Sequence, residues 1–160
     1  MRILAILSFL ITSSALADMV IKYGSNVVKE GEPLGSTKTL FIADQVVILG
    51  PFIRQYELGA WFDSKNSIGR KNSALVGASI GIHVNAEIFY GQALIGPSVI
   101  SHTDLLLGGH FQFNNDVSVG LRDPDNKATV GLNYKHVSSA GLAKPNQGRD
   151  FIMFRIGIPF

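Results

Sequence analysis

Between Leu105 and Arg122 the odd positions run Leu105, Leu107, Gly109, Phe111, Phe113, Asn115, Val117, Val119 and Leu121, while the even ones include His110, Gln112, Asn114, Asp116, Ser118 and Arg122. Alternation with period two puts one set of side chains on each face of a β-strand. The same rhythm recurs in Ala74, Val76, Ala78, Ile80, Ile82 and Val84, set against Gly77, Ser79, Gly81 and His83. It recurs again in Ile152, Phe154, Ile156, Ile158 and Phe160. A chain patterned this way folds as all-β with one apolar face per strand. In a soluble sandwich that face is the core; in a small membrane barrel it meets lipid and the polar set fills the lumen.

Eight strands are expected, over 19–27, 38–49, 52–63, 74–84, 86–96, 105–122, 127–139 and 150–160. The connections alternate in length. Segments 28–37, 64–73, 97–104 and 140–149 are long, whereas Gly50-Pro51, Asn85 and Asp123-Pro124-Asp125-Asn126 are short. Long connections on one side and short ones on the other suit an eight-stranded antiparallel transmembrane β-barrel of the outer-membrane type. The last strand, ending on an aromatic residue, resembles the recognition signal of bacterial outer-membrane barrels. Tyr23, Tyr56, Trp61 and Tyr90 are candidates for interfacial girdles.

Composition agrees with export to a membrane without helical spans. The chain is 46% hydrophobic and 16% charged, with a mean hydropathy of +0.25. Residues 1–17 read as a signal peptide: Arg2 is the basic end, Ile3 to Ile11 the apolar run, and Ala15-Leu16-Ala17 the cleavage site. Cleavage after Ala17 is expected, leaving 18–160 as a single domain. Past that signal no stretch approaches the roughly 20 apolar residues of a membrane helix. Taking Arg2 from 14 basic residues leaves 13 against 12 acidic ones, so no basic excess points to nucleic acid. With no cysteine, disulfides and thiolate metal sites are excluded.

The expected lumen set contains Glu57, His83, His110, Asp116, Arg122, Lys135 and Arg155, which must pair to be tolerated inside. Such a barrel has interior room only for side chains, so no pore is expected. Asp44 and Gln92 fit neither face well. No histidine pair has metal-ligand spacing, and neither a metal nor a cofactor is expected.

Parity also brings a chemical set together. On the strand over 127–139, Val130, Leu132, Tyr134, His136 and Ser138 share the outward face; on 150–160, Asp150 shares the face of Ile152 to Phe160. His136, Ser138 and Asp150 therefore project from one outer surface on neighbouring strands, within side-chain reach. A serine needs a base to become a nucleophile, and an imidazole held by a carboxylate supplies it. Asn146 and a backbone N–H near Gly141 are candidate oxyanion donors. Ser139 is a rival nucleophile, but its parity points inward. From spacing alone, these residues also read as polar groups at a barrel rim.

His136-Val-Ser138-Ser-Ala-Gly141-Leu, followed by Pro145-Asn146-x-Gly148-x-Asp150, resembles the signature of the PagL family of lipid A 3-O-deacylases. The resemblance is specific from Tyr134 to Asp150, looser through Phe111-Gln112-Phe113 and Val119-Gly120-Leu121-Arg122, and architectural before about residue 85. It implies an outer-membrane barrel of a Gram-negative bacterium whose surface triad releases the ester-linked 3-O acyl chain, a 3-hydroxy fatty acid, from the lipid A of lipopolysaccharide. His136 takes the place of the family base, Ser138 the nucleophile, Asp150 the acid and Asn146 an asparagine tied to the oxyanion hole. Two departures stand out: the acid in well-known members is Glu, and the motif is usually His-x-Ser-Asn where this chain has Ser139. Lys65, Arg70 and Lys71, in the long 64–73 connection, read first as solvated loop charges and second as candidates for contact with lipid A phosphates. The alternatives are a non-enzymatic small barrel serving adhesion or membrane integrity, and a phospholipase on the same fold. Nothing in the sequence decides between monomer and homodimer.

Overall fold

The computed structural model describes residues 17–27, 36–63 and 72–160. The expected signal peptide up to residue 16, and Lys65, Arg70 and Lys71, lie outside the described residues. Eight strands follow in order: β1 (Ala17–Asn26), β2 (Thr37–Leu49), β3 (Phe52–Asp63), β4 (Ser73–Ala86), β5 (Phe89–Ile100), β6 (Phe111–Arg122), β7 (Thr129–Ser138) and β8 (Arg149–Pro159). Each pairs antiparallel with the next, and β1 pairs with β8, closing the barrel. Closure leaves no strand edge unpaired, which lipid would not tolerate.

The wall is apolar outside and polar within. Ile80, Ile95, Val119, Leu132 and Phe154 are exposed, while Gln55, Gln112, Asn114, Asn133 and Arg155 are buried. At the centre of the lumen, Lys22 Nζ lies 3.0 Å from Glu57 Oε2 and 2.5 Å from Asp116 Oδ2. Lys135 Nζ lies 2.5 Å from Glu57 Oε1 and 3.3 Å from Asp116 Oδ2. Two ammoniums thus alternate with two carboxylates drawn from β1, β3, β6 and β7. Asn133 adds a hydrogen bond to Asp116 and another, at 2.8 Å, to Ser118 Oγ. Towards the long-loop end the filling becomes apolar: Phe41, Trp61, Leu75, Leu107, Val137 and Phe151 form one buried cluster. Arg155 fills the opposite end, bonding Thr129, Gln45 and Gln92 beneath the Tyr90 ring.

Several expectations are corrected. β5 runs to Ile100 despite Gly96-Pro97, because the β4 ladder passes from Gly77↔Ser98 to Ile80↔Ile95 around the proline, which has no N–H to donate. The short β4–β5 connection is Glu87-Ile88, with Glu87 left-handed, rather than Asn85. β6 starts at Phe111, not 105. Asp104 Oδ1 takes the amides of Leu106 and Leu107 at 2.8 and 3.0 Å, a local bond that competes with ladder pairing. Leu107 is consequently buried instead of facing lipid, and His110 sits exposed in the loop instead of the lumen. His83 is half-buried at the short-turn end. Trp61 and Tyr90 are buried in the barrel and form no girdle, whereas Tyr23 and Tyr56 are exposed on the wall. Gln92 is lumenal, and Asp44 is buried beside its cross-strand partner Tyr56.

Removing one member of the central quartet strands the opposite charge in the lumen. Asp116→Ala is expected to cost about 3–5 kcal/mol of barrel stability, read from urea unfolding in lipid vesicles. The double variant Asp116→Ala/Lys22→Met, which leaves a balanced pair, should cost less than the sum of the two single changes.

Candidate active site on the outer wall

β7 carries Lys135 and Val137 inward, so Tyr134, His136 and Ser138 face out. β8 carries Arg149 and Phe151 inward, so Asp150 faces out. The β7–β8 ladder sets His136 directly opposite Asp150. His136 Nδ1 lies 2.5 Å from Asp150 Oδ1, the His and Asp side chains being 28% and 11% exposed. The Tyr134 hydroxyl donates to the same oxygen at 2.7 Å. With two donors on one carboxylate oxygen, the acid is held against the ring, and an imidazole that donates through Nδ1 keeps Nε2 as its basic atom.

Tyr134 joins the set through this bond. Its signal was there: it lies diagonal to Asp150 on the same face, within reach of a long aromatic side chain.

Ser138 is half-buried on the same face, one outward position beyond His136, at the last residue of β7. No Ser138–His136 hydrogen bond is formed in this structure; such bonds often tighten only around a substrate. Gly148 closes in on the ring from the loop. A Cβ there would stand 2.6 Å from His136 Cε1 and 3.1 Å from Nε2, and the residue has φ +72°. Only glycine gives both that backbone conformation and that close approach.

The loop 139–148 is organised by Ser139 and Asn146. Ser139 is fully buried; its N–H donates to Asn146 Oδ1 at 2.8 Å and its hydroxyl lies 2.8 Å from the same oxygen. A backbone N–H can only donate, so the amide oxygen is turned inward and Nδ2 becomes the outward group. The hydroxyl also contacts Ala143 O at 3.0 Å. Ser139 thus points away from the outer wall, as its parity implies. Gly141 sits exposed on the loop with φ +85°.

A second loop, 101–110, buttresses this one. Leu107 bridges to Asn146; Gly108 N–H donates to Pro145 O at 2.7 Å, and Leu106 O accepts from Gln147 and Gly148 at 3.1 and 3.2 Å. Arg149 anchors both loops from below, bonding Asp63 at 3.0 and 2.9 Å and also reaching Asp104. Its guanidinium stacks 5.5 Å over Trp61. Among the described residues no cluster of His, Asp and Glu is arranged to hold a metal ion.

If Asp150 holds the ring, nitrogen-15 spectra of the barrel in micelles should show His136 as the Nδ1–H tautomer. Asp150→Leu should shift it towards Nε2–H, and an unchanged spectrum would contradict the arrangement.

Comparison with known proteins completes the description. The family model "Lipid A 3-O-deacylase (PagL)" matches residues 52–159. Lipid A deacylase PagL of Bordetella bronchiseptica is 41% identical over 70 residues, spanning 41% of this chain and 38% of that protein. In three dimensions the barrel resembles the crystal structure of the outer membrane enzyme PagL, with TM-score 0.68, 19% identity, and 89% and 99% of the two chains covered. It also resembles Ail, the attachment invasion locus protein of Yersinia pestis, with TM-score 0.56, 9% identity, and 92% and 100% covered. The family match covers most of the chain, including every strand from β3 to β8 and the whole His136–Asp150 segment, and the chain therefore belongs to the PagL family of lipid A 3-O-deacylases.

Proposed function

We propose that this barrel is an outer-membrane serine esterase that removes the ester-linked acyl chain at position 3 of lipid A. The observation that carries the reading is the 2.5 Å contact between His136 Nδ1 and Asp150, on a wall otherwise facing lipid. A base poised on that wall has membrane lipid as its available substrate, reached laterally.

In the first step Ser138 Oγ attacks the ester carbonyl while His136 Nε2 accepts its proton. The imidazolium formed is stabilised by Asp150. Negative charge gathered on the carbonyl oxygen is met by Asn146 Nδ2, with the exposed Gly141 amide as a second donor. Collapse breaks the ester C–O bond, and His136 returns the proton to the departing sugar hydroxyl. Water, deprotonated by His136, then splits the acyl-serine to release a free 3-hydroxy fatty acid and restore Ser138.

The departures from the usual motif have physical answers in this reading. Asp150 is a methylene shorter than Glu, yet its position directly opposite His136 lets it reach Nδ1. Ser139, in place of asparagine, holds Asn146 by its N–H and hydroxyl together.

Mass spectrometry of lipid A from a lipopolysaccharide-producing bacterium expressing the chain should show loss of one 3-hydroxyacyl group. Ser138→Ala should lower deacylation by at least about a thousandfold, with the barrel still folded in the outer membrane. Asn146→Ala should cost about 100- to 1000-fold. Deacylation surviving in Ser138→Ala would remove Ser138 from the mechanism, and loss of ordinary phospholipid acyl chains instead would make the enzyme a phospholipase.

A further inference from the structure

Along the outward positions of β4 to β8 the polar side chains are Tyr134, His136, Ser138, Asp150 and one more, Asn115. Asn115 is exposed on β6 between Phe113 and Val117, and its Cα is the cross-strand partner of His136. Its amide makes no hydrogen bond to any described residue. An amide on a lipid-facing wall without a protein partner is costly. The position is occupied by a polar group beside the reacting centre, where Phe113 and Val117, on either side of it, follow the apolar rule.

We infer that Asn115 recognises the hydroxyl on the acyl chain being removed, and so selects 3-hydroxyacyl over plain acyl esters. The inference rests on the deacylase reading above. Ser138 lies at the long-loop end of β7, opposite Phe113, and Asn115 lies one outward step of about 7 Å nearer the membrane centre. An acyl chain whose carbonyl is at Ser138 and whose tail runs down the wall into hydrocarbon passes over Asn115 in its first few carbons. The hydroxyl of a 3-hydroxyacyl ester is two carbons along that path. A carboxamide offers both a donor and an acceptor, matching a hydroxyl that is itself both. A plain chain leaves the amide unpaired on an apolar wall, and sites built to bond a hydroxyl discriminate against analogues lacking it.

The test compares the full barrel, purified in detergent micelles, with Asn115→Val on two lipid A substrates that differ only in the hydroxyl of the 3-O acyl chain. Valine on a lipid-facing position suits the wall, and heat-modifiable gel mobility verifies the fold. Wild type is expected to prefer the hydroxylated substrate by about tenfold in kcat/KM, and Asn115→Val to reduce that preference to within about twofold. A wild type without preference, or a preference kept by Asn115→Val, would overturn the inference. Equal losses on both substrates would put the amide at the ester itself and also overturn it. Turnover of neither substrate by the wild type would instead sink the deacylase reading, and this inference with it.

Discussion

Two lysines and two carboxylates share the middle of the barrel, and the outer surface depends on their staying there. Lys22, Lys135, Glu57 and Asp116 are each at most 4% exposed. A slip of one residue in the pairing of β7 would turn Lys135 into lipid and leave Glu57 and Asp116 short of a cation. A lysine facing the bilayer midplane alone costs about 2–4 kcal/mol. With Lys135 held inward, Tyr134, His136 and Ser138 must face out, since side chains alternate. The charged lumen thereby sets the face on which the candidate chemistry appears, without touching it.

A second device works at the long-loop end. Arg149 points inward one residue before Asp150 and is clamped by Asp63 from β3 and Asp104 from the 101–110 loop. That clamp fixes the start of β8, and hence the height of Asp150 opposite His136. The same loop carries Leu106, Leu107 and Gly108, whose backbones hold Asn146, Gly148 and Pro145. Asp150, His136 and Asn146 are thus set on strands and on a loop tied down from two sides. The wall gains its order at this end from that packing.

Much of this was legible in the sequence, and the reasons differ by element. β8 could be read to within a residue because Ile152, Phe154, Ile156 and Ile158 face a uniform apolar solvent, so each position reports its own side. The shared face of His136, Ser138 and Asp150 followed from the same parity. The β5–β6 region misled because Gly96-Pro97 resembles a strand end, while the alternation of Leu105 and Leu107 continues that of β6 into a loop where the consecutive Leu106 and Leu107 are both buried. His110 went wrong with it. Trp61 could have been placed, since it shares the parity of Glu57, but aromaticity suggested a girdle. Tertiary hydrogen bonds, such as Ser139 to Asn146 and Arg149 to Asp104, join segments across loops and leave no periodic trace.

The central claim is that a serine on the lipid-facing wall is activated as a nucleophile. Covalent labelling tests it most directly: the folded barrel in micelles is treated with a lipophilic fluorophosphonate, and the modified residue is located by peptide mass spectrometry. A single adduct on Ser138, lost in the His136→Ala variant, is the predicted result. An adduct on Ser139, or none on a folded barrel that deacylates lipid A, would contradict it.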